Sequence, residues 1–165
     1  MGRQLTLIRH AKSSWNDSHL CDFDRPLNKR GILDAPLMGR IIEQNLSLPD
    51  FFLCSPARRA VMTAKAIAKE MACSIEKIVY IEKIYEAGLA VLLEIITGLK
   101  DQYKNVFICG HNPSFTSLLN YLTRVNLSNL PTCAVASIHF TNPDWSEIEP
   151  ASGNLIFYDY PKSHY

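Results

Sequence analysis

The chain has 165 residues, of which 47% are hydrophobic and 20% are charged, and its formal net charge is +1. This balance fits one globular domain with its own core, expected over residues 1–165, and excludes an intrinsically disordered chain. The near-zero charge argues against a general nucleic-acid binder, which carries a strongly basic face or arm.

The spacing of the cysteines and the length of the apolar runs indicate the cellular compartment. The first apolar run, residues 5–8, is too short for a signal peptide, and no stretch approaches the ~18 apolar residues of a membrane span. The cysteines are far apart and lack zinc-ligand spacing, which indicates reduced thiols: Cys21, Cys54, Cys73, Cys109 and Cys133. We therefore expect a cytoplasmic protein with no membrane or nucleic-acid partner.

Short apolar runs bounded by turn residues alternate along the chain with segments of helical spacing. Such runs are typical of buried strands, and we predict six of them at residues 5–8, 51–54, 78–81, 106–109, 134–140 and 155–160. Strands that alternate with helices indicate an α/β fold. A mostly parallel central sheet flanked by helices, in three layers, is the expected architecture.

Four helices are predicted between these strands. The first covers residues 29–44, with its apolar side chains inward, and Pro36 should either kink it or delay its start: Leu33, Leu37, Ile41 and Ile42. Ser55 and Pro56 suit the N-cap and first position of the second helix. A third helix carries Leu92 and Ile96, and a fourth opens at Asn112-Pro113.

Three of the predicted strands are followed at once by polar, chemically capable residues. The first strand is followed by Arg9 and His10, and the second by Ser55, Arg58 and Arg59. The fourth is followed by His111. In open α/β sheets the ligand site lies beyond the carboxyl ends of the strands. If the strands are parallel, these clusters meet at one edge, where guanidinium groups and a helix N-terminus favour a phosphoryl group.

These residues and their order resemble a known family, the histidine phosphatase superfamily with its phosphoglycerate mutase-like fold. The similar motifs are Arg9-His10-Ala11-Lys12-Ser13, Ser55-Pro-x-x-Arg59-Ala60-x-x-Thr63-Ala64 and Gly110-His111-Asn112-Pro113, together with Trp15-Asn16 and Arg25-Pro26-Leu27. Each motif is weak alone, but together and in order they cover most of the chain. Chemistry alone leaves Arg58 and Arg59 open as the phosphate ligand, and the motif spacing selects Arg59.

The resemblance implies a role for each matching residue. His10 would be the nucleophile that carries the phosphoryl group, while Arg9 and Arg59 clamp the phosphate and His111 donates to its oxygens. Ser13 is a further candidate donor. Neighbouring arginines disfavour protonation of His10 and so keep its imidazole nucleophilic. Because phosphoryl transfer here depends on positioning and charge, neither a metal nor a cofactor is expected.

The remaining polar residues have ordinary interpretations. His139 is expected to be structural, His19 to lie in a solvated loop, and His164 to belong to a loose C-terminus. Asp22, Asp24 and Arg25 share one loop, where they either pair with one another or Arg25 reaches the phosphate edge; the first alternative is the simpler one.

Glu86 is the candidate general acid, because many members of the superfamily have a glutamate in the corresponding stretch. An exposed glutamate that leads a helix is the equal alternative. The short connections and the residues around Tyr85-Glu86-Ala87 look most like the SixA-type phosphohistidine phosphatases, which implies a phosphorylated protein as substrate. The alternatives are a small-molecule phosphomonoesterase of the same superfamily and a non-catalytic phosphate-binding module. The sequence leaves the oligomeric state open.

Overall fold

One mixed sheet organises the structure, a computed structural model that describes residues 2–142 and 144–165. Within these residues there are six strands: β1 (Arg3–Arg9), β2 (Phe51–Cys54), β3 (Ile78–Tyr80), β4 (Asn105–Gly110), β5 (Val135–Phe140) and β6 (Gly153–Asp159). Their order across the sheet is β3-β2-β4-β1-β5-β6. Every predicted strand is present, with bounds that differ by at most two residues.

The first four strands in this order run parallel, and β5 and β6 add an antiparallel edge. β4 lies between β1 and β2, with Ile108 in register with Leu7 on one side and Leu53 on the other. The carboxyl ends of β1, β2 and β4 therefore meet at one edge of the sheet. The predicted mostly parallel sheet is confirmed, and this edge is where the polar clusters converge.

Helices cover both faces of the sheet in the described part of the chain. They are α1 (Lys29–Asn45), α2 (Arg58–Glu70), α3 (Leu89–Thr97) and α4 (Ser114–Leu122). Ile8 and Phe107 pack with α1 and α2 in one buried cluster, whereas Leu7 and Ile108 pack with α3 and α4 in another. Successive strand residues point to opposite faces, which is why neighbours enter different clusters. The three layers confirm the predicted sandwich.

The helix α1 shows how Pro36 is accommodated and differs from the prediction at Leu33. It continues through Pro36 as one helix, so its start is not delayed. Leu33, predicted to point inward, is 69% exposed. Ile41 and Ile42 are buried as predicted, and the closest approaches of α1 are made at two glycines: a Cβ added at Gly31 would lie 2.3 Å from the Lys12 carbonyl oxygen, and one at Gly39 would lie 2.9 Å from a Glu70 side-chain carbon. Close approach, rather than the most apolar stripe, sets the orientation of α1.

The helix starts and the C-terminus differ in detail from expectation. Ser55 does not cap α2, because the helix begins at Arg58 and Ala57 takes the cap position. Asn112 does bond to the first turn of α4, because its Oδ1 accepts a hydrogen bond from the Thr116 N–H. The C-terminus is held rather than loose: His164 contacts Asp159 at 2.8 Å, and the Tyr165 hydroxyl donates to Asp34.

Candidate active site

The backbone of His10 is fixed where β1 ends. Its N–H donates to the Gly110 carbonyl and its own carbonyl accepts from the Cys133 N–H, both at 3.0 Å. The ring nitrogen Nδ1 lies 2.7 Å from the Ala11 carbonyl oxygen. A carbonyl only accepts, so Nδ1 carries the ring proton and the lone pair of the neutral imidazole sits on Nε2. His10 is thus held in the tautomer that a nucleophile requires.

Arg59 lies directly against that lone pair. Its Nε–H donates to His10 Nε2 at 3.4 Å, and its two terminal nitrogens donate to the backbone oxygen and a carboxylate oxygen of Asp22 at 2.7 and 3.0 Å. The side chain is only 6% exposed, although it is the second residue of α2. Arg58, its neighbour, is exposed. The structure therefore brings Arg59, and not Arg58, to His10.

His111 approaches from the end of β4. Its ring centroid is 5.2 Å from that of His10, and its Nε2 is hydrogen-bonded to the Ser55 hydroxyl at 2.7 Å. Its Nδ1 is buried and has no hydrogen-bond partner in the described part of the chain. Gly110, the last residue of β4, leaves room for the Phe115 ring, from which an added Cβ would lie 2.5 Å. The hydroxyl of Ser55 thus orients a histidine, while its oxygen also accepts from the Ala57 N–H at 3.2 Å just before α2.

Arg9 forms the third side of the site. One terminal nitrogen donates to the Leu130 carbonyl oxygen at 2.7 Å, and its Nε is buried without a partner among residues 2–142 and 144–165. Burial lowers the pKa of the Arg9 guanidinium below its usual value. A partly desolvated guanidinium with donors to spare is a suitable ligand for an anion.

A loop after β1 contributes a third guanidinium group, that of Arg25, for which the simpler sequence interpretation was pairing within the loop. Arg25 is buried and donates to the Ser13 hydroxyl at 2.7 Å. Its Nε and second terminal nitrogen donate to Asp22, which also accepts from Tyr85 and Arg59. The loop is closed by the Ser14 N–H, which donates to the Pro26 carbonyl. The Arg25-Pro26-Leu27 motif was the signal in the sequence that pointed to this position.

Asp22 joins the two arginines through one carboxylate. Its partial burial alone would raise its pKa, but hydrogen bonds from Tyr85, Arg25 and Arg59 outweigh this and lower the pKa to about 2. The carboxylate is therefore charged at physiological pH and orients both guanidinium groups. It offers no proton, so we regard Asp22 as a positioning residue.

Both histidines are kept neutral. Burial is the largest cause that lowers the pKa of His10 to about 3; the hydrogen bond to Ala11 opposes it, and electrostatic interactions with His111, Arg59 and Arg9 add to it. Burial likewise lowers the pKa of His111 to about 4, with a further contribution from Arg59. The cations that would hold an anion thus also keep the Nε2 lone pair of His10 available.

These two histidines should make stability depend on pH. An unfolded histidine titrates near 6.5, so between pH 6.5 and about 4 the unfolded chain binds protons that the folded chain does not. The free energy of unfolding should therefore fall as the pH is lowered through this window, by up to about 1.4 kcal/mol per pH unit for each histidine, and be constant above it. Urea unfolding at pH 7, 6 and 5 measures the slope. In His10→Asn the slope should drop by about half; an unchanged slope would contradict a buried neutral imidazole.

The predicted site residues line one cavity of about 290 Å³, with one exception. The cavity wall contains two histidines, three arginines, Lys12 and a serine hydroxyl: Arg9, His10, Ser13, Arg25, Arg59 and His111. Glu86 is exposed and lies instead on the wall of a neighbouring pocket, which shares His111 and Asn112 with the cavity. Such a cationic cavity with a neutral imidazole suits a phosphoryl group.

Among residues 2–142 and 144–165, no group of three or more His, Cys, Asp or Glu side chains is placed to hold a metal ion. In the same residues no helix has the length and apolarity to cross a membrane.

Comparison with known proteins gives the following matches. The sequence model of the histidine phosphatase superfamily (branch 1) matches residues 5–86. An uncharacterized chloroplastic protein of Arabidopsis thaliana is 30% identical over 161 residues, which cover 93% of this chain and 73% of that protein. A structure assigned as the phosphohistidine phosphatase SixA of Agrobacterium tumefaciens is 26% identical, with a TM-score of 0.83 over 98% of this chain and 99% of that one. The protein histidine phosphatase SixA complexed with tungstate is 18% identical, with a TM-score of 0.81 over 97% and 98%.

Proposed function

Since this chain belongs to the histidine phosphatase superfamily, we propose that it hydrolyses phosphohistidine on a protein through a covalent phosphoryl intermediate on His10. The observation that carries the proposal is the Nε2 lone pair of His10, which faces Arg59 while Nδ1 is committed to the Ala11 carbonyl. The likeness to a structure assigned as a phosphohistidine phosphatase supports the choice of substrate.

The proposed reaction has two displacements at phosphorus. Arg9, Arg25 and Arg59 bind the phosphoryl oxygens, which replace His10 as the acceptor of the Arg59 Nε–H. The lone pair of His10 Nε2 then forms a bond to phosphorus while the bond to the leaving nitrogen breaks, and that nitrogen takes up a proton from solvent. Water next attacks the phosphorus of the phosphorylated His10 and loses a proton to solvent. The bond from phosphorus to Nε2 breaks, which releases inorganic phosphate and regenerates the neutral imidazole. The charge is balanced by guanidinium groups, so this scheme uses no metal.

His111 and Ser13 support the same transfer. The Ser55 hydroxyl holds the His111 ring beside His10, and the unpartnered Nδ1 of His111 is a buried polar atom that a ligand oxygen would satisfy. The Ser13 oxygen accepts from Arg25, which leaves its hydroxyl hydrogen for a phosphate oxygen. We propose both as substrate-binding residues, with Arg9 and Arg59 as the clamp.

The position of Glu86 favours phosphohistidine over a phosphate ester. A leaving alkoxide needs a general acid, worth about 10²–10⁴-fold, whereas a leaving imidazole picks up a proton easily. Glu86 stands outside the cavity, in the pocket beside it. Since that pocket adjoins His111, a small-molecule phosphomonoesterase is the second candidate function. In that case Glu86 would turn toward the leaving group.

Replacement of Glu86 by glutamine should separate these candidates. We expect Glu86→Gln to change kcat/KM for a phosphohistidine protein by no more than about twofold, as for an ordinary surface substitution. A loss of about a hundredfold or more confined to esters would identify Glu86 as their proton donor. Glu82→Gln, at another exposed glutamate in the same connection, is the matched control. A similar loss on phosphohistidine would contradict the proposed leaving-group chemistry.

A substrate panel tests the function itself. Phosphohistidine proteins, sugar phosphates and an aryl phosphate would be supplied to the wild type and to His10→Ala, and phosphate release measured. Hydrolysis of phosphohistidine ahead of the esters supports the proposal, and preferred hydrolysis of a sugar phosphate overturns it.

The five free thiols fit a reducing compartment, so we place the reaction in the cytoplasm.

A further inference from the structure

A second cavity opens directly beside the catalytic one. This side pocket, with a volume of about 370 Å³, lies between the start of α1, residues 129–132 and the C-terminal segment. Arg9, Lys12 and Thr132 form part of both walls. An anion bound here would therefore lie next to a phosphoryl group on His10, and one extended ligand could occupy both cavities.

The charge of the side pocket is strongly positive although the whole chain is nearly neutral. Its wall carries four cations and one carboxyl group: Arg9, Lys12, Arg30, Lys162 and Asp34. The carboxyl group is already satisfied, because Asp34 accepts from the Tyr165 hydroxyl and lies 3.5 Å from Arg30 Nε. Neither Lys12 nor Lys162 has a carboxylate within 4.0 Å in the part of the chain that the structure describes. The pocket thus has cationic charge to offer.

The wall shared by the two cavities is held by hydrogen bonds. Asn112 Nδ2 donates to Asn129 Oδ1 at 2.8 Å and to the Leu130 carbonyl at 3.0 Å. The Leu130 N–H donates to the Thr116 hydroxyl at 2.9 Å, and Arg9 donates to the same Leu130 carbonyl. On the far side, Asp159 accepts from Ser163 and contacts His164, which anchors the segment that carries Lys162. The cations therefore project from a fixed frame.

Trp15 indicates what kind of molecule presents the anion. It lies at the mouth of the catalytic cavity and is 76% exposed, with the Arg25 guanidinium 3.5 Å from its ring centroid. An exposed tryptophan held by a cation–π contact is typical of an anchor for a protein surface. A small phosphate ester that enters the cavity would leave this ring in water. The two features together, charge and an aromatic anchor, favour a protein partner.

We propose that the side pocket binds a carboxylate of the protein substrate, from an aspartate or glutamate near its phosphohistidine. This inference rests on the proposed function and adds the substrate's acidic surroundings as a determinant of specificity. The arginines of the catalytic cavity bind the phosphoryl group, and Lys162, Arg30 and Lys12 bind the carboxylate. Because these pairs are partly exposed, each contributes modestly and is weakened by salt.

The test uses two phosphohistidine peptides that differ only in having glutamate or glutamine beside the phosphohistidine. We expect Lys162→Glu to lower kcat/KM for the acidic peptide about tenfold relative to the neutral one, mostly through KM. Lys162→Arg should retain the preference of the wild type. Lys77→Glu is the control: it makes the same change in net charge but lies just before β3, at the opposite edge of the sheet.

The outcomes separate this inference from the proposed function. If the wild type hydrolyses neither peptide, the proposed function fails. If it hydrolyses both equally, and Lys162→Glu slows both alike, the function stands and the side-pocket assignment is overturned. An effect of Lys162→Glu that is confined to small bisphosphates would also overturn it, because the second anion would then belong to a small molecule. A preference that disappears in Lys162→Glu, and not in Lys77→Glu, supports it.

Discussion

Replacing His10 with alanine should lower turnover of every substrate by about four orders of magnitude or more and leave no acid-labile phosphoryl group on the protein. The imidazole of His10 offers its Nε2 lone pair to phosphorus, whereas the arginines only donate and the Ser13 oxygen already accepts from Arg25. Loss of the nucleophile removes both displacements at once. Rapid-quench labelling with a phosphodonor, together with steady-state phosphate release, measures the two effects.

The control for His10→Ala is a histidine of similar type outside the cavity. His19 is exposed in the loop after β1, and His19→Ala should keep labelling and turnover near the wild-type level. Because His10 is buried, urea unfolding of His10→Ala establishes that the variant is folded under the assay conditions. Equal labelling of the folded variant and the wild type would rule out a covalent intermediate on His10.

Replacing Arg59 with lysine should lower kcat/KM by about 10²–10³-fold, although the positive charge is kept. A lysine has no Nε–H beside His10 Nε2 and no pair of terminal donors, so it loses both the contact with the nucleophile and the fork that Asp22 orients. Asp22 would also lose one partner of its carboxylate. Steady-state kinetics on a phosphohistidine substrate measure the loss, and phosphate inhibition should weaken in parallel.

Arg58→Lys is the matched control for this substitution. Its side chain is exposed and precedes Arg59 by one residue on the same helix turn, so kcat/KM should change by no more than about twofold. If Arg58→Lys were the damaging change, the clamp would be misassigned. A large loss in both variants would point to disruption of the start of α2, which circular dichroism would show.

Strand positions were predictable because they depend on local patterns. Short β-rich runs ended by turn residues marked each strand, and the polar residues after β1, β2 and β4 then marked the edge where they meet. The helix face of α1 was less predictable, since Leu33 is more apolar than Gly31 and yet lies outside. Gly31 packs closely against the Lys12 backbone, and this contact sets which face of α1 points inward. Helical periodicity cannot predict it, because it depends on tertiary structure.

The polar network of the site shows the same limit. Asp22 and Arg25 have ordinary loop neighbours in the sequence, and their importance comes from Arg59 and Tyr85, more than 30 residues away in the chain. Ser55 fits the local pattern of a helix cap, but α2 begins only at Arg58, and the Ser55 hydroxyl bonds to His111 and to the Ala57 N–H. Short motifs indicated which residues matter, whereas the partners that orient them depended on the tertiary structure.

The strand order also determines when the strands can pair while the chain is being synthesised. β1 is made first, but its neighbours in the sheet are β4 and β5, which follow about a hundred residues later. The nascent first half therefore holds β1 unpaired until residues 105–110 have left the exit tunnel, and the second edge of β1 stays open until residues 135–140 follow. Such late, long-range pairing makes folding slow and keeps apolar strand surface open to capture by chaperones during synthesis.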